Sequence, residues 1–567
     1  MPRTRVGVFV CHCGNNIGGV VRVPEVVEDA RNLPNVVYVE DSLYACSEEG
    51  LSSIKEQIAK QNLSRVVVAS CTPRTHEPLF KDACEEAGLN RYLFEFVNIR
   101  EHCSWVHRHD PARATEKAKE LVRMGVAKAR YLEPQEEFES EVFPAALVVG
   151  GGVAGMTAAL SLANQGIQVY VVEREEQLGG LVREVRTLFP TEQDTGELLG
   201  PLIEQVRSHP QITVYLGSEV ENIEGFIGDF DVAVATDGQV RELKMGTVIV
   251  ATGAKEFKPL GMYGYSGLPN VVTQLEFEKS FKRGADLPPN VVMINCVGAR
   301  VPERTYCGRL CCSTAIKNAI WLKEQDPDAK VSVLHRDVMA CGVDIEEFYR
   351  GAMELGIRFL RYDVQNPPEV LGDRRAEGVK VHHQLMGKQI ILPADLVVLT
   401  TPLVPREDSE RLSKMMKVPV GTEGFFLEAH LKLRPIEFST DGIYVCGSAR
   451  YPSSIPESVS QGYAAAAKAA IPIRDGSVRV EAITVFCDER TCSACGNCVE
   501  VCPFGAVELQ EGRFGRTASV NVTQCRGCGC CVAACRSGAM QQRGFDDRQL
   551  LSMIGALADE VVSVGGR

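Results

Sequence analysis

Short unbroken apolar runs, each followed by a stretch with apolar positions three and four apart, recur through the first 130 residues. The runs are VGVFV, NVVYVE, RVVVAS and YLFEFVNI, with amphipathic segments such as SEEGLSSIKEQIAK and ATEKAKELVRMGVAKA between or after them. Unbroken apolar runs mark strands buried on both faces, and the 3.6-residue period marks helices. Residues 1–132 are therefore expected to form an α/β domain on a parallel sheet. The acidic segment YLEPQEEFESEVFP, with two prolines, reads as a linker.

A second α/β region opens at AALVVGGGVAG and runs to about Arg474. Its middle, from PPNVVMINC to VVLTT, has the pattern of a separate nucleotide-binding lobe. The expected layout is a first lobe of residues 143–285 and 402–475, with residues 286–401 inserted into it. Near Thr484 the composition shifts to Cys, Gly and Arg with short strands, giving a small α+β domain over 480–545. A helical tail, 546–567, follows and is expected to dock a partner.

Composition narrows the function. The 567 residues carry a net charge of -13, which disfavours nucleic acid, because phosphate binding needs a basic face. No apolar run reaches the eighteen residues of a membrane span, and the N-terminus has no apolar leader with a cleavage site. A cytoplasmic protein without direct membrane insertion is expected. In a reducing compartment, 22 closely spaced cysteines point to metal or cluster ligation rather than disulfides.

Gly150, Gly152 and Gly155 form a G-x-G-x-x-G between a strand and a helix, and Glu173 ends the next strand. Such glycines let a pyrophosphate approach the backbone at a helix N-terminus, and the acid accepts bonds from a ribose. Gly179 and Gly180 follow, then the turn Ala251-Thr252-Gly253 and a late turn at Gly447. Together they resemble the FAD lobe of thioredoxin-reductase-like flavoproteins, although Ser448 stands where that family usually has Asp. The turn of the second lobe, CVGARVPERTYC, lacks the three glycines and carries Arg300, Pro302 and Arg304, so a nicotinamide dinucleotide is not expected there.

At the C-terminal end, Cys492, Cys495, Cys498 and Cys502 repeat the spacing of Cys525, Cys528, Cys531 and Cys535. This is the two-cluster bacterial ferredoxin run, in which each fourth cysteine ligates the other cluster. Cys492, Cys495, Cys498 and Cys535 are assigned to one 4Fe-4S cluster, and Cys525, Cys528, Cys531 and Cys502 to the second. Zinc sites use two separated pairs instead. Cys487 and Cys530 are taken as bystanders. Near the N-terminus, Cys11, Cys13, Cys46, Cys71 and Cys103 follow strand ends, which share one edge of a parallel sheet. A third cluster on Cys46, Cys71, Cys103 and one of Cys11 or Cys13 is expected, whereas Cys84 suits a buried core position.

The phrases VGVFVCHCGNNIGGVV, RVVVASCTPRTHEPLF, NIREHCSWVH, CVGAR and YCGRLCC resemble the A-type component of heterodisulfide reductase and its bacterial homologues over nearly the whole chain. The resemblance implies an FAD and iron-sulfur protein working with B- and C-type subunits of a heterodisulfide-reductase-like complex and with a hydrogenase-, formate- or NADH-linked module. Its flavin would bifurcate electrons between ferredoxin and a disulfide-type acceptor. It further implies a 4Fe-4S cluster on Cys296, Cys307, Cys311 and Cys312 beside the flavin. Lys317 would lie near the isoalloxazine N5, where an ammonium stabilises reduced, anionic flavin. Methanogen members carry a further ferredoxin module within the flavin lobe, whereas residues 215–250 here contain no cysteine. Two alternatives stand beside this reading: an FAD-dependent dithiol oxidoreductase using Cys307 with Cys311 or Cys312, and an electron wire related to the component serving adenylylsulfate reductase. Homodimer formation is left open.

Overall fold

The computed structural model describes residues 4–282, 286–480, 482–522 and 524–564. The chain divides into two compact units, Met1–Ser140 with Arg479–Arg567, and Glu141–Val478.

In the first unit a four-stranded parallel sheet runs in the order Val36–Ser42, Val6–Cys11, Arg65–Ser70, Phe94–Asn98. All six residues of Val6–Cys11 are buried, as its unbroken apolar run requires of a central parallel strand. Helices Val23–Arg31, Glu48–Lys60 and Pro73–Glu86 send Val26, Ile54 and Phe80 into the same core. Because all four strands point one way, their carboxyl ends lie along one edge, carrying Cys11 at the end of its strand and Cys71 just after another. The linker segment contains a short strand, Phe138–Glu141.

The same unit holds the cysteine-rich region. Strand Val485–Cys487 pairs antiparallel with Met540–Gln542, and Val507–Gly512 forms a hairpin with Gly515–Val520. Helix Asp547–Val564 packs within this unit. It lies on helix Pro111–Ala129 of its own chain, where Gln549 Nε2 donates to Tyr131 O at 3.1 Å and Arg548 pairs with Glu133 at 2.9 Å. Next to this seam Lys128 Nζ sits 2.7 Å from Glu95 Oε2 and 3.8 Å from the centre of the Phe545 ring.

The second unit contains two parallel five-stranded sheets. One runs Ile443–Val445, Thr247–Val250, Ala145–Val149, Gln168–Val172, Ile212–Tyr215. The other runs Val271–Thr273, Leu396–Leu399, Asn290–Ile294, Lys330–His335, Arg358–Arg361. The inserted lobe thus starts before residue 286: Val271–Thr273 is an edge strand of its sheet, paired with Leu396–Leu399. Three residues are too short to show a period. The cysteine-free region becomes three antiparallel strands, Ser218–Phe226, Asp229–Thr236 and Gln239–Met245.

The Glu95–Lys128 pair yields a stability prediction. Burial pushes the Glu95 carboxyl up despite the adjacent Lys128, so the ionised pair survives only because each charge has the other. Lys128→Met strands a buried carboxylate and should destabilise this unit by about 3–5 kcal/mol. Denaturant titration followed by circular dichroism should show partial recovery in Lys128→Met/Glu95→Gln; equal losses in the single and double variants would contradict the pairing.

Candidate functional site: a flavin cavity walled by cysteines

The turn after Ala145–Val149 is shaped by close backbone approach. Gly150 has φ 113°, and a Cβ there would stand 2.3 Å from Ala251 O; a Cβ at Gly155 would stand 1.9 Å from Gly150 O. At Gly152 a Cβ would meet nothing within 4 Å, so the start of helix Val153–Ala163 is open to an incoming group. It faces a cavity of about 980 Å³ lined by Gly150, Gly152, Glu173, Gly179, Gly180, Ala251, Thr252 and Gly253. Gly155 packs behind this wall. Gly447 sits one residue from the lining Ser448 and donates its N–H to Gln461 Oε1 at 3.0 Å.

Glu173 is buried, and its carboxylate accepts from Gly151 N at 2.7 Å and Glu175 N at 2.9 Å. That fixes an acceptor at the end of Gln168–Val172, where a ribose would need one. The Oγ1 atoms of Thr187, Thr252 and Thr401 and Oδ1 of Asp408 are buried without a hydrogen-bond partner among the described residues. All four residues line the cavity. Orphaned polar atoms around a glycine cradle suit a large polar ligand that completes their bonds, and FAD fits.

Lys317, in helix Cys311–Gln325, reaches the same cavity with 3% of its surface exposed. Its Nζ donates to Thr187 O and to Glu278 Oε1, both at 2.8 Å. Glu278 is 2% exposed and also accepts from Asn318 Nδ2 at 3.1 Å and Arg186 N at 2.7 Å. Burial holds the Lys317 ammonium below the usual lysine pKa, with Glu278 opposing. Glu278 escaped sequence reading, since it is one acid on the ordinary amphipathic helix Gln274–Lys282.

Cys296, Cys307, Cys311 and Cys312 line a small void together with Arg300 and Asp337. Burial, then Cys312, Cys296 and Cys307, pushes the Cys311 thiol far up, so all four sulfurs share one electrostatic neighbourhood. Asn295 Nδ2 donates to Cys312 Sγ at 3.9 Å, and Arg300 Nη1 pairs with Asp337 Oδ2 at 2.9 Å beside Cys296. Cys307, Gly308, Arg309, Cys311 and Met339 border both the void and the large cavity.

In the cysteine-rich region, left-handed Gly496 (φ 81°) and Gly529 (φ 77°) precede the short helices Asn497–Glu500 and Cys530–Ala534. Burial, then Cys492 and Cys495, pushes the Cys498 thiol up, and burial, then Cys525, Cys502 and Cys528, pushes the Cys531 thiol up to about 11. Cys502, last of the first motif, is thus one of the thiols acting on Cys531. Cys535 Sγ accepts from Met540 N at 3.4 Å; burial pushes its thiol up, but this bond and other nearby donors bring it below the usual value. Cys487 lies against Cys492, and burial with that contact pushes its thiol up to about 12.

At the N-terminal sheet edge, Cys11 Sγ accepts from Cys13 N and Ala45 N, each at 3.3 Å. Burial, then Cys71 and Cys46, pushes the Cys13 thiol up with Arg100 opposing, and burial, then Cys71, pushes up that of Cys46. Cys11, Cys13, Cys46 and Cys71 are thus gathered. Cys103 is not: its Sγ donates to Ala114 O at 3.0 Å, and its charged neighbours are Lys117 and Glu120. The helical turn Arg100–Ser104 swings residue 103 beneath helix Pro111–Ala129, and Arg100 faces the thiols instead. Among the described residues, no three His, Cys, Asp or Glu side chains are drawn in closely enough to hold a single metal ion.

The pyridine nucleotide-disulphide oxidoreductase family matches residues 144–469, and the 4Fe-4S dicluster domain matches 484–536. The A-type component of the H2:CoB-CoM heterodisulfide,ferredoxin reductase of Methanothermobacter marburgensis is 39% identical, with 99% of each chain covered. One of the iron-sulfur A-type components of the CoB–CoM heterodisulfide reductase of Methanopyrus kandleri is 38% identical, covering 89% of this chain and 91% of that one. Among solved structures, T. acidophilum thioredoxin reductase covers 59% of this chain and 99% of its own at 19% identity and TM-score 0.42. The chain belongs to the family of heterodisulfide reductase A-type components, as an oxidoreductase that uses FAD and 4Fe-4S clusters.

Proposed function

We propose that this chain is the electron-splitting component of a heterodisulfide-reductase-like complex. Its FAD takes two electrons from a hydrogenase-, formate- or NADH-linked module. One electron goes to a disulfide-type acceptor through B- and C-type subunits, and the other to ferredoxin. The observation that carries this reading is the shared wall: Cys307 and Cys311 border both the flavin cavity and the four-cysteine void. A one-electron carrier held there meets the two-electron carrier directly, where related folds would admit a nicotinamide. Relatives named for heterodisulfide and ferredoxin reduction support it.

One branch differs from those relatives. The alignment to the M. marburgensis protein spans 657 positions against a chain of 567 residues, and the cysteine-free sheet of residues 218–245 occupies the flavin lobe. The ferredoxin branch therefore leaves through the C-terminal clusters or a partner. In the assembled complex, reduction of the disulfide acceptor should stall without oxidised ferredoxin; acceptor reduction at full rate in its absence would overturn bifurcation.

Two measurements on the isolated chain test the cofactor assignments. Four cubane clusters give about sixteen irons and sixteen acid-labile sulfides per chain. A value near eight would remove both the N-terminal cluster and the one on Cys296, Cys307, Cys311 and Cys312, leaving the dithiol alternative. Lys317→Met removes the cation that favours reduced, anionic flavin, so the two-electron flavin midpoint should fall by about 30 mV or more, roughly 1.4 kcal/mol for this couple. An unchanged midpoint would place Lys317 in a purely structural pair with Glu278.

A further inference from the structure

Arg309 occupies a singular place. Of the five residues bordering both the flavin cavity and the cysteine void, it is the only charged one. Its backbone is left-handed, φ 58°, a conformation that costs a non-glycine residue and that glycine would adopt freely. Its guanidinium leaves the inserted lobe and grips the flavin lobe: Nη1 donates to Pro452 O at 2.9 Å, Nη2 pairs with Glu457 Oε1 at 2.6 Å, and the group lies 4.7 Å from the centre of the Tyr451 ring.

Glu457 is a rigid anchor. It is the third residue of helix Ile455–Asp475, where its other oxygen accepts from Ser454 N at 2.8 Å in a capping box. Burial pushes its carboxyl up, but the Ser454 N–H and Arg309 bring it below the usual glutamate range. Two nearby bonds hold the same segment: Tyr306 OH donates to Leu403 O at 2.8 Å, and Thr305 Oγ1 to Glu423 Oε1 at 2.7 Å. Arg309 alone does so from between two of the cysteines.

We propose that Arg309 is a positioning residue that straps the Cys307–Cys312 turn to the N-terminus of helix Ile455–Asp475, fixing the separation of flavin and cluster. The proposal rests on the cluster reading of Cys296, Cys307, Cys311 and Cys312. Each transfer takes one electron from reduced flavin and adds one to an oxidised cluster, with no bond made or broken between them. Rate then depends on separation, which two guanidinium bonds, one to Glu457 and one to Pro452 O, hold better than a lysine point charge.

The test uses the full-length, cofactor-loaded chain and a laser-flash deazaflavin donor that reduces the FAD. Passage of the electron into the iron-sulfur absorbance should slow at least tenfold in Arg309→Gln and at least threefold in Glu457→Gln, which keeps the capping box. Arg309→Lys should recover less than half of the loss. Rates within twofold of the parent in both glutamine variants, with FAD and iron content intact, overturn the proposal. If Arg309→Gln loses iron, Glu457→Gln decides alone. Hydrogen–deuterium exchange reads the strap whether or not iron is present. Amides of residues 296–312 should exchange faster in both variants; unchanged exchange overturns the strap, whereas absent iron with faster exchange overturns only the cluster reading.

Discussion

The contact on which the larger unit turns is the double use of one short turn: Cys307 and Cys311 close the flavin cavity on one side and the cysteine void on the other. A two-electron cofactor and a one-electron cofactor exchange electrons efficiently only at short range, across a wall that excludes water and does not move. Around the turn, Lys317 ties to Thr187 O, Tyr306 to Leu403 O and Arg309 to Glu457, so the inserted lobe is bound to the flavin lobe at several points.

Electrostatics follow from that placement. Arg300 and Arg336 face Cys296, while Asp337 partly neutralises Arg300. A cluster with four thiolates is strongly anionic, and such guanidinium groups, with the Asn295 amide on Cys312, favour added negative charge. Of the bulky residues that broke the nicotinamide pattern, Arg300 is the one that faces these thiols, and under the proposed cluster reading it would favour added negative charge there. On the flavin side, Glu278 keeps Lys317 buried and ordered at the cost of a carboxylate that must itself be satisfied by Asn318 and Arg186.

Legibility in the sequence tracked how local each signal was. The glycines at 150, 152 and 155 and the paired cysteine runs have fixed spacing because one turn must place them all, so the glycine-lined cavity and the nearness of Cys502 to Cys531 were legible locally. Cys103 misled because a strand-end rule holds only at the strand end: five residues after Phe94–Asn98, one helical turn reverses its direction. Glu278 and Arg309 act through partners remote in sequence, Lys317 and Glu457, so no local spacing announces their pairing. The edge strand Val271–Thr273 was too short to carry a pattern.

The central claim is that a cluster and FAD share this wall, and iron anomalous scattering from crystals of the as-isolated chain tests it most directly. The expected result is FAD over the Gly150–Gly155 turn and a four-iron peak enclosed by Cys296, Cys307, Cys311 and Cys312. A Cys307–Cys311 disulfide with no iron density at that position would contradict it.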